Sequence, residues 1–169
     1  KLQEFLFTNL VDGACFSEVK FIDSNKHQRL SWKYEKTNYG LLDHLFLNEL
    51  PSSSGNYLYT KKAWKSVGGY PEKAHALDTW AFGLRLAANS FKIQVYPKFY
   101  YYHRLDLNSY WNRTVNKYNY VKIASEEMSK YYDKMPLLFQ LYFKVRFNEY
   151  NWFAQLGKKN IFSLIHRKL

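Results

Sequence analysis

Two adjacent glycines, Gly68 and Gly69, fix the layout of the most ordered stretch of this 169-residue chain. Only glycine enters the left-handed region cheaply, so the pair reads as the C-terminal cap of a short helix over Lys61 to Val67. The loop Pro51-Ser52-Ser53-Ser54-Gly55-Asn56 cannot be helical and feeds a strand from Tyr57 to Thr60. Beyond the turn, Asp78 stands where a cap or first-turn acid would. Trp80, Ala81, Leu84 and Ala88 form one apolar face of the helix it opens, and Asn89 closes it. An acid mounted on a helix N-terminus beside an aromatic ring is a common way to present a catalytic or sugar-binding carboxylate.

The flanks supply the rest of an α/β pattern. Apolar residues at 2, 5, 6 and 10 have helical spacing, and Asp12-Gly13 ends that helix. Ala14 to Asp23 alternates as a strand, and Leu41 to Leu50 forms a short amphipathic helix after a polar, mixed segment. Phe91 to Val95 is a strand that Pro97 interrupts, and extended structure resumes from Phe99 to His103. Asn108 or Ser109 caps a helix starting near Tyr110-Trp111. The order helix–strand–helix–strand–helix–helix–strand is α/β, with a basic helical extension at the C-terminus.

Composition narrows the partners. Net charge is +11, which favours anionic partners such as nucleic acid, acidic lipid or phosphorylated substrate. Aromatics reach 20%, more than a core needs, and surplus Tyr and Trp suit surfaces that stack on sugars, bases or a membrane interface. An A/T-rich coding sequence is the alternative source of that surplus. Cys15 is the single cysteine, which excludes an internal disulfide and a cysteine-based metal site, and its apolar neighbours mark it as a buried structural thiol. No apolar run approaches the ~20 residues of a membrane span, and no signal-peptide pattern is present.

The combined order of residues 61–72 (KKAWKSVGGYPE), 77–97 (LDTWAFGLRLAANSFKIQVYP), 100–104 (YYYHR) and 108–111 (NSYW) resembles the C-terminal half of a family 2 glycosyltransferase of the GT-A fold. Residues 14–23 (ACFSEVKFID) resemble the strand after the helix that follows that family's metal site. The resemblance covers roughly residues 2 to 113. It implies a partial GT-A sheet with flanking helices over 1–113 and a basic aromatic helical extension over 114–169. It further implies inverting transfer of a sugar from a nucleotide-sugar donor to a glycan or lipid-linked acceptor.

In that family an acidic Glu-Asp pair opens the helix, with the Asp as base. Aligning Trp80, Gly83 and Arg85 puts Asp78 on the Glu position and Thr79 on the base position, and a threonine cannot serve as a carboxylate base. By the same resemblance Ser54, Gly55 and Asn56 line the cleft floor, and Trp80 lies under an acceptor sugar or fills the core. Arg104 faces the site or the phosphates, while Arg85 anchors its helix by an ion pair. His103 is a candidate metal or diphosphate ligand.

A divalent metal, Mn or Mg, is expected in the complete enzyme, held by an Asp-x-Asp motif that occurs nowhere in this chain. The sequence therefore reads as an excerpt that starts just after that motif, and the isolated chain is expected to be inactive. The expected location is cytoplasmic, at the inner face of a membrane. The competing class is a non-catalytic basic module in which interleaved Lys, Tyr and Trp from Lys117 to Leu169 contact nucleic acid or an anionic membrane. No zinc spacing or helix-turn-helix signature supports nucleic acid as a partner.

Overall fold

The computed structural model describes residues 2–8, 11–21, 28–32, 38–46, 57–104 and 108–147. The chain divides into two compact units, Lys1–Met128 and Ser129–Leu169. The first is mixed α/β, as the alternation of patterns requires. Its elements are α1 (Leu2–Thr8), β1 (Gly13–Phe21), β2 (Gln28–Trp32), β3 (Asn38–Tyr39), α2 (Leu41–Phe46), β4 (Tyr57–Tyr59), α3 (Lys61–Ser66), α4 (Asp78–Ala88), β5 (Ile93–Arg104), α5 (Tyr110–Thr114) and α6 (Tyr120–Ser129). Two 3₁₀ turns over Glu72–Leu77 lead into α4. This unit runs to Met128. Arg85 of α4 and Glu127 of α6 form an ion pair within it.

β1 is the organising strand. It pairs in parallel with β5 along one edge, while its other edge takes β4 at its start and β2 at its end, both antiparallel. β3 adds to the far edge of β5. Asp12 ties together the starts of β1 and β5 and the end of β4. Its carbonyl accepts the Thr60 N–H at 2.9 Å, its carboxylate accepts the Lys92 N–H at 2.9 Å, and its own N–H donates to Lys92 O at 2.8 Å. At Gly13, a Cβ would stand 3.0 Å from the Leu58 carbonyl oxygen, so glycine is what lets β4 approach β1 this closely.

Pro97 sits inside a single long strand rather than between two. The pairing nevertheless breaks there. Phe16 opposes Tyr96 and Ser17 opposes Tyr100, so Pro97, Lys98 and Phe99 have no partner on β1. A proline lacks the ladder N–H, and a bulge is where a sheet tolerates it. β2 and β3 fall in the segment that reads as polar and mixed, and both are held by pairing with neighbours rather than by a strong local pattern.

The core gathers on α4. Trp80, Ala81, Phe82, Gly83, Leu84, Leu86 and Ala88 are all buried, so the apolar surface exceeds the single face expected from spacing. A helix apolar on most sides belongs in the interior. Ala14, Cys15 and Ile93 of the sheet, with Leu45 of α2 and Met128 of α6, complete this core. The Cys15 thiol is buried and its pKa is pushed up to about 12 by loss of solvent, partly offset by a backbone hydrogen bond. It is the inert structural thiol expected.

α2 contributes a buried histidine. His44 is 1% exposed; its Nδ1 lies 2.9 Å from Gly40 O and its Nε2 3.4 Å from the Tyr57 hydroxyl. A carbonyl can only accept, so Nδ1 carries the proton and Nε2 receives the phenol's. Burial pushes the His44 pKa below 6.5, against the opposing pull of the Gly40 hydrogen bond and Asp43. With its folded pKa below the unfolded one, this group's contribution is complete above about pH 6.5. It is lost as pH falls, because the unfolded chain takes the proton first. Urea denaturation at stepped pH should show stability dropping by up to ~1.4 kcal/mol per pH unit between pH 6.5 and 5. His44→Gln should flatten that slope; an equal slope in the variant would assign it elsewhere.

Candidate functional site

The segment from β4 to α4 builds a cluster around Asp78. Thr60 caps α3, its Oγ1 accepting the Ala63 N–H at 3.1 Å. This is an ordinary N-cap for a threonine. Gly68 (φ +74°) and Gly69 (φ +68°) then reverse the chain as expected. Gly69 is constrained twice over, because a Cβ there would lie 2.8 Å from the Trp64 ring. The turn delivers Tyr70, whose ring stacks on Phe82 at 4.4 Å and 27°. Tyr59 meets both, at 6.1 Å from Tyr70 and 4.9 Å from Phe82.

Phe82 is one helical turn from Asp78, so the stack places the Tyr70 phenol beside the head of α4. Burial, chiefly, raises the Tyr70 pKa, followed by a hydrogen bond with the Tyr59 side chain and the neighbouring Tyr59 and Asp78 charges. The Tyr70 phenol therefore stays neutral at physiological pH and acts through hydrogen bonding. Tyr110, at the start of α5 and half exposed, also has its pKa raised. Desolvation leads, then Tyr118, Tyr120 and Asp78, against the lowering effect of Arg113. Asp78 is thus within electrostatic reach of two tyrosines from different elements.

Asp78 occupies the first turn of α4. Its Oδ1 accepts the Thr79 N–H at 2.7 Å, and its own N–H donates to the His75 carbonyl. The positive end of the helix dipole favours a negative group at this position. Just before it, His75 takes φ +51° and ψ −123°, a conformation foreign to residues with a Cβ. Such a backbone costs on the order of 1–3 kcal/mol and persists only where its surroundings hold it. Here the imidazole lies flat on Tyr118, 3.8 Å between centroids and 11° from parallel. Tyr118 in turn meets Tyr120 edge-on, and the Tyr120 hydroxyl lies 2.7 Å from Thr114 Oγ1.

The residues expected at a site divide into three groups. Asp78 and Thr79 stand together at the head of α4, both half-buried. Trp80 is buried at 2% exposure, and its indole N–H donates to His44 O at 3.1 Å. Of the two roles open to it in the sequence, this placement is the core, where it locks α2 to α4 and offers no ring face to a ligand. His103 and Arg104, described by their backbone, end β5 in register with Lys20 and Phe21 at the end of β1. In open α/β sheets ligands gather beyond the carboxyl ends of parallel strands, and these two positions lie there. Ser54, Gly55 and Asn56 lie outside the described residues.

Three participants escaped the sequence reading. Tyr70 was visible only as the aromatic after the glycine pair, and Tyr110 as the first residue of a helix. Nothing in the sequence marks His75, because its strain is a property of backbone angles. Arg85 pairs with Glu127 at 3.7 Å as an anchor of its helix. Among the described residues no three His, Cys, Asp or Glu side chains converge as metal ligands. Among them, too, no helix is long and apolar enough to cross a membrane. No protein-family model and no curated protein sequence matches the chain.

Proposed function

We propose that this chain carries the acceptor side of a sugar-transfer site, in a GT-A-like arrangement. In this reading Asp78 takes the proton from an acceptor hydroxyl during inverting transfer from a nucleotide-sugar donor to a glycan or lipid-linked acceptor. The observation that carries it is the Asp78 carboxylate at a helix N-terminus, within electrostatic reach of Tyr70 and Tyr110 and preceded by a strained His75. A carboxylate with phenol neighbours offers the mixed acceptors and donors a polyol needs. The half-exposed ring of Tyr110, at the start of α5, offers an apolar face to a sugar. Oδ1 is engaged by the Thr79 N–H, so Oδ2 is the oxygen that meets the hydroxyl. Thr79, uncharged, contributes a hydrogen bond and no proton transfer. In the complete enzyme a divalent metal, Mn or Mg, would supply positive charge on the leaving diphosphate. In this reading His103 and Arg104, at the end of β5, are the candidate ligands of that group.

The competing reading is a basic module that contacts nucleic acid through residues 117–169. Salt dependence separates the two. Glycan binding by this chain, followed by intrinsic fluorescence, should change little between about 50 and 200 mM salt. A nucleic-acid contact would weaken by orders of magnitude over that range. With nucleotide-sugar and glycan both supplied to the whole protein, release of nucleoside diphosphate should depend on the glycan. Tight, steeply salt-dependent oligonucleotide binding without such release would overturn the proposal.

A further inference from the structure

The second unit contains an element that the sugar-transfer reading does not use. A 3₁₀ turn at Tyr132–Lys134 leads through Pro136 into α7, Leu137–Phe147. Phe139 and Phe143, four apart, are buried on one side, with Met135 beside them in the interior. The other side should then be polar. Instead Leu137 is 71% exposed, Leu138 82% and Leu141 53%. A helix apolar on two opposite sides is normally covered on both.

Charge decides what covers the second side. Along α7 Leu137, Leu141 and Lys144 follow one another at spacings of four and three, so one stripe runs leucine, leucine, lysine, and Lys134 ends the 3₁₀ turn before it. Lys130 and Arg146 add to the basic set, and Asp133 is the single acid between residues 129 and 147. Tyr131 and Tyr132 flank the same region, with Lys134 Nζ 5.8 Å from the Tyr131 ring centre and Lys144 Nζ 5.4 Å from that of Tyr132. A second copy would bring lysine against lysine in a chain already at +11. The following residues 148–169 hold Lys158, Lys159, Arg167 and Lys168 against Glu149, so they carry the same sign.

We infer that α7 lies flat on an anionic membrane surface, its leucines entering the acyl boundary and its lysines reaching lipid phosphates. Leucine side chains between terminal cations, with tyrosines at headgroup level, is the pattern of an interfacial helix. At 1.5 Å per residue its eleven residues span only about 16 Å, too short to cross a bilayer and long enough to lie in its interface. This inference does not depend on the chemistry at Asp78.

Vesicle co-sedimentation of the full chain tests it. The chain should pellet with phosphatidylcholine vesicles containing phosphatidylglycerol and stay in the supernatant with phosphatidylcholine alone. Leu137→Glu with Leu141→Glu should abolish pelleting without lowering the melting temperature, since both side chains are exposed. Lys134→Gln with Lys144→Gln should weaken partitioning on the order of tenfold. Four results would overturn it. The leucine variant could pellet as wild type does, or melt several degrees lower, which would give the face to an intramolecular partner. Wild type could instead form a dimer that the leucine variant cannot, giving the face to a second copy. Equal binding of wild type and leucine variant to a duplex oligonucleotide, with no vesicle binding, would give the basic residues to nucleic acid.

Discussion

On the sugar-transfer reading, Asp78→Asn in the complete enzyme is expected to lower transfer by about 10²–10⁴-fold, the range a positioned general base contributes, while leaving the fold nearly intact. The asymmetry follows from the geometry. An amide oxygen can still accept the Thr79 N–H that Oδ1 accepts at 2.7 Å, so the first turn of α4 keeps its hydrogen bond. What it loses is a negative charge at the helix N-terminus, worth about 0.3–1 kcal/mol. That corresponds to a few degrees or less in melting temperature for a chain of this length. The asparagine cannot take a proton. The loss should therefore fall on kcat, with KM for the acceptor changing little. Thr79→Ala should cost far less. A third variant, Asp78→Asn with Thr79→Asp, moves the acid to the position that resembles the family's base. Recovery of transfer in that variant would place the base at 79 and reduce Asp78 to a helix-terminal charge. Unchanged activity in Asp78→Asn alone would remove it from the chemistry.

How far this site could be read in advance depends on which interactions are local. The glycine pair, the Thr60-led helix and the acid at the start of α4 are written in neighbouring residues. Caps and left-handed turns depend on side chains within a few positions, so sequence exposes them. The parallel β1–β5 pairing joins residues some eighty positions apart, and the two-residue β3 exists only because β5 is beside it. No local pattern encodes either. Trp80 shows the limit for single residues. An indole at a helix start fits a ligand platform or a core equally well, and the choice rests on His44 O, 36 positions away, accepting its N–H. The strain at His75 is less legible still, since it is held by a ring 43 residues later in the chain.

Arg85→Ala is the substitution expected to damage the fold most, by about 3–5 kcal/mol, against a typical total of 5–15 kcal/mol. Its partner explains the size. The Glu127 side chain is 6% exposed and 3.7 Å from Arg85 Nη2, and the Arg85 side chain is only 18% exposed. Truncating the arginine takes this cation from a carboxylate that stays in the interior, a larger penalty than the pair's own net worth. Glu127→Gln should be milder, because it removes the charge and keeps the shape. Replacing both, Arg85→Met with Glu127→Leu, should recover much of the loss, since no buried charge remains. Recovery should stop short of wild type. Arg85 also donates to Gly69 O at 3.3 Å, within the glycine turn that sets Tyr70 against Phe82. Each such bond contributes about 1 kcal/mol. Urea unfolding of the three variants measures this directly, and a loss below about 1 kcal/mol in Arg85→Ala would mean that solvent screens the pair. The double variant then separates stability from function. If it folds well yet binds glycan weakly, the Gly69 carbonyl contact is what holds Tyr70 beside Asp78, and Arg85 is a positioning residue for the site as well as an anchor for its helix.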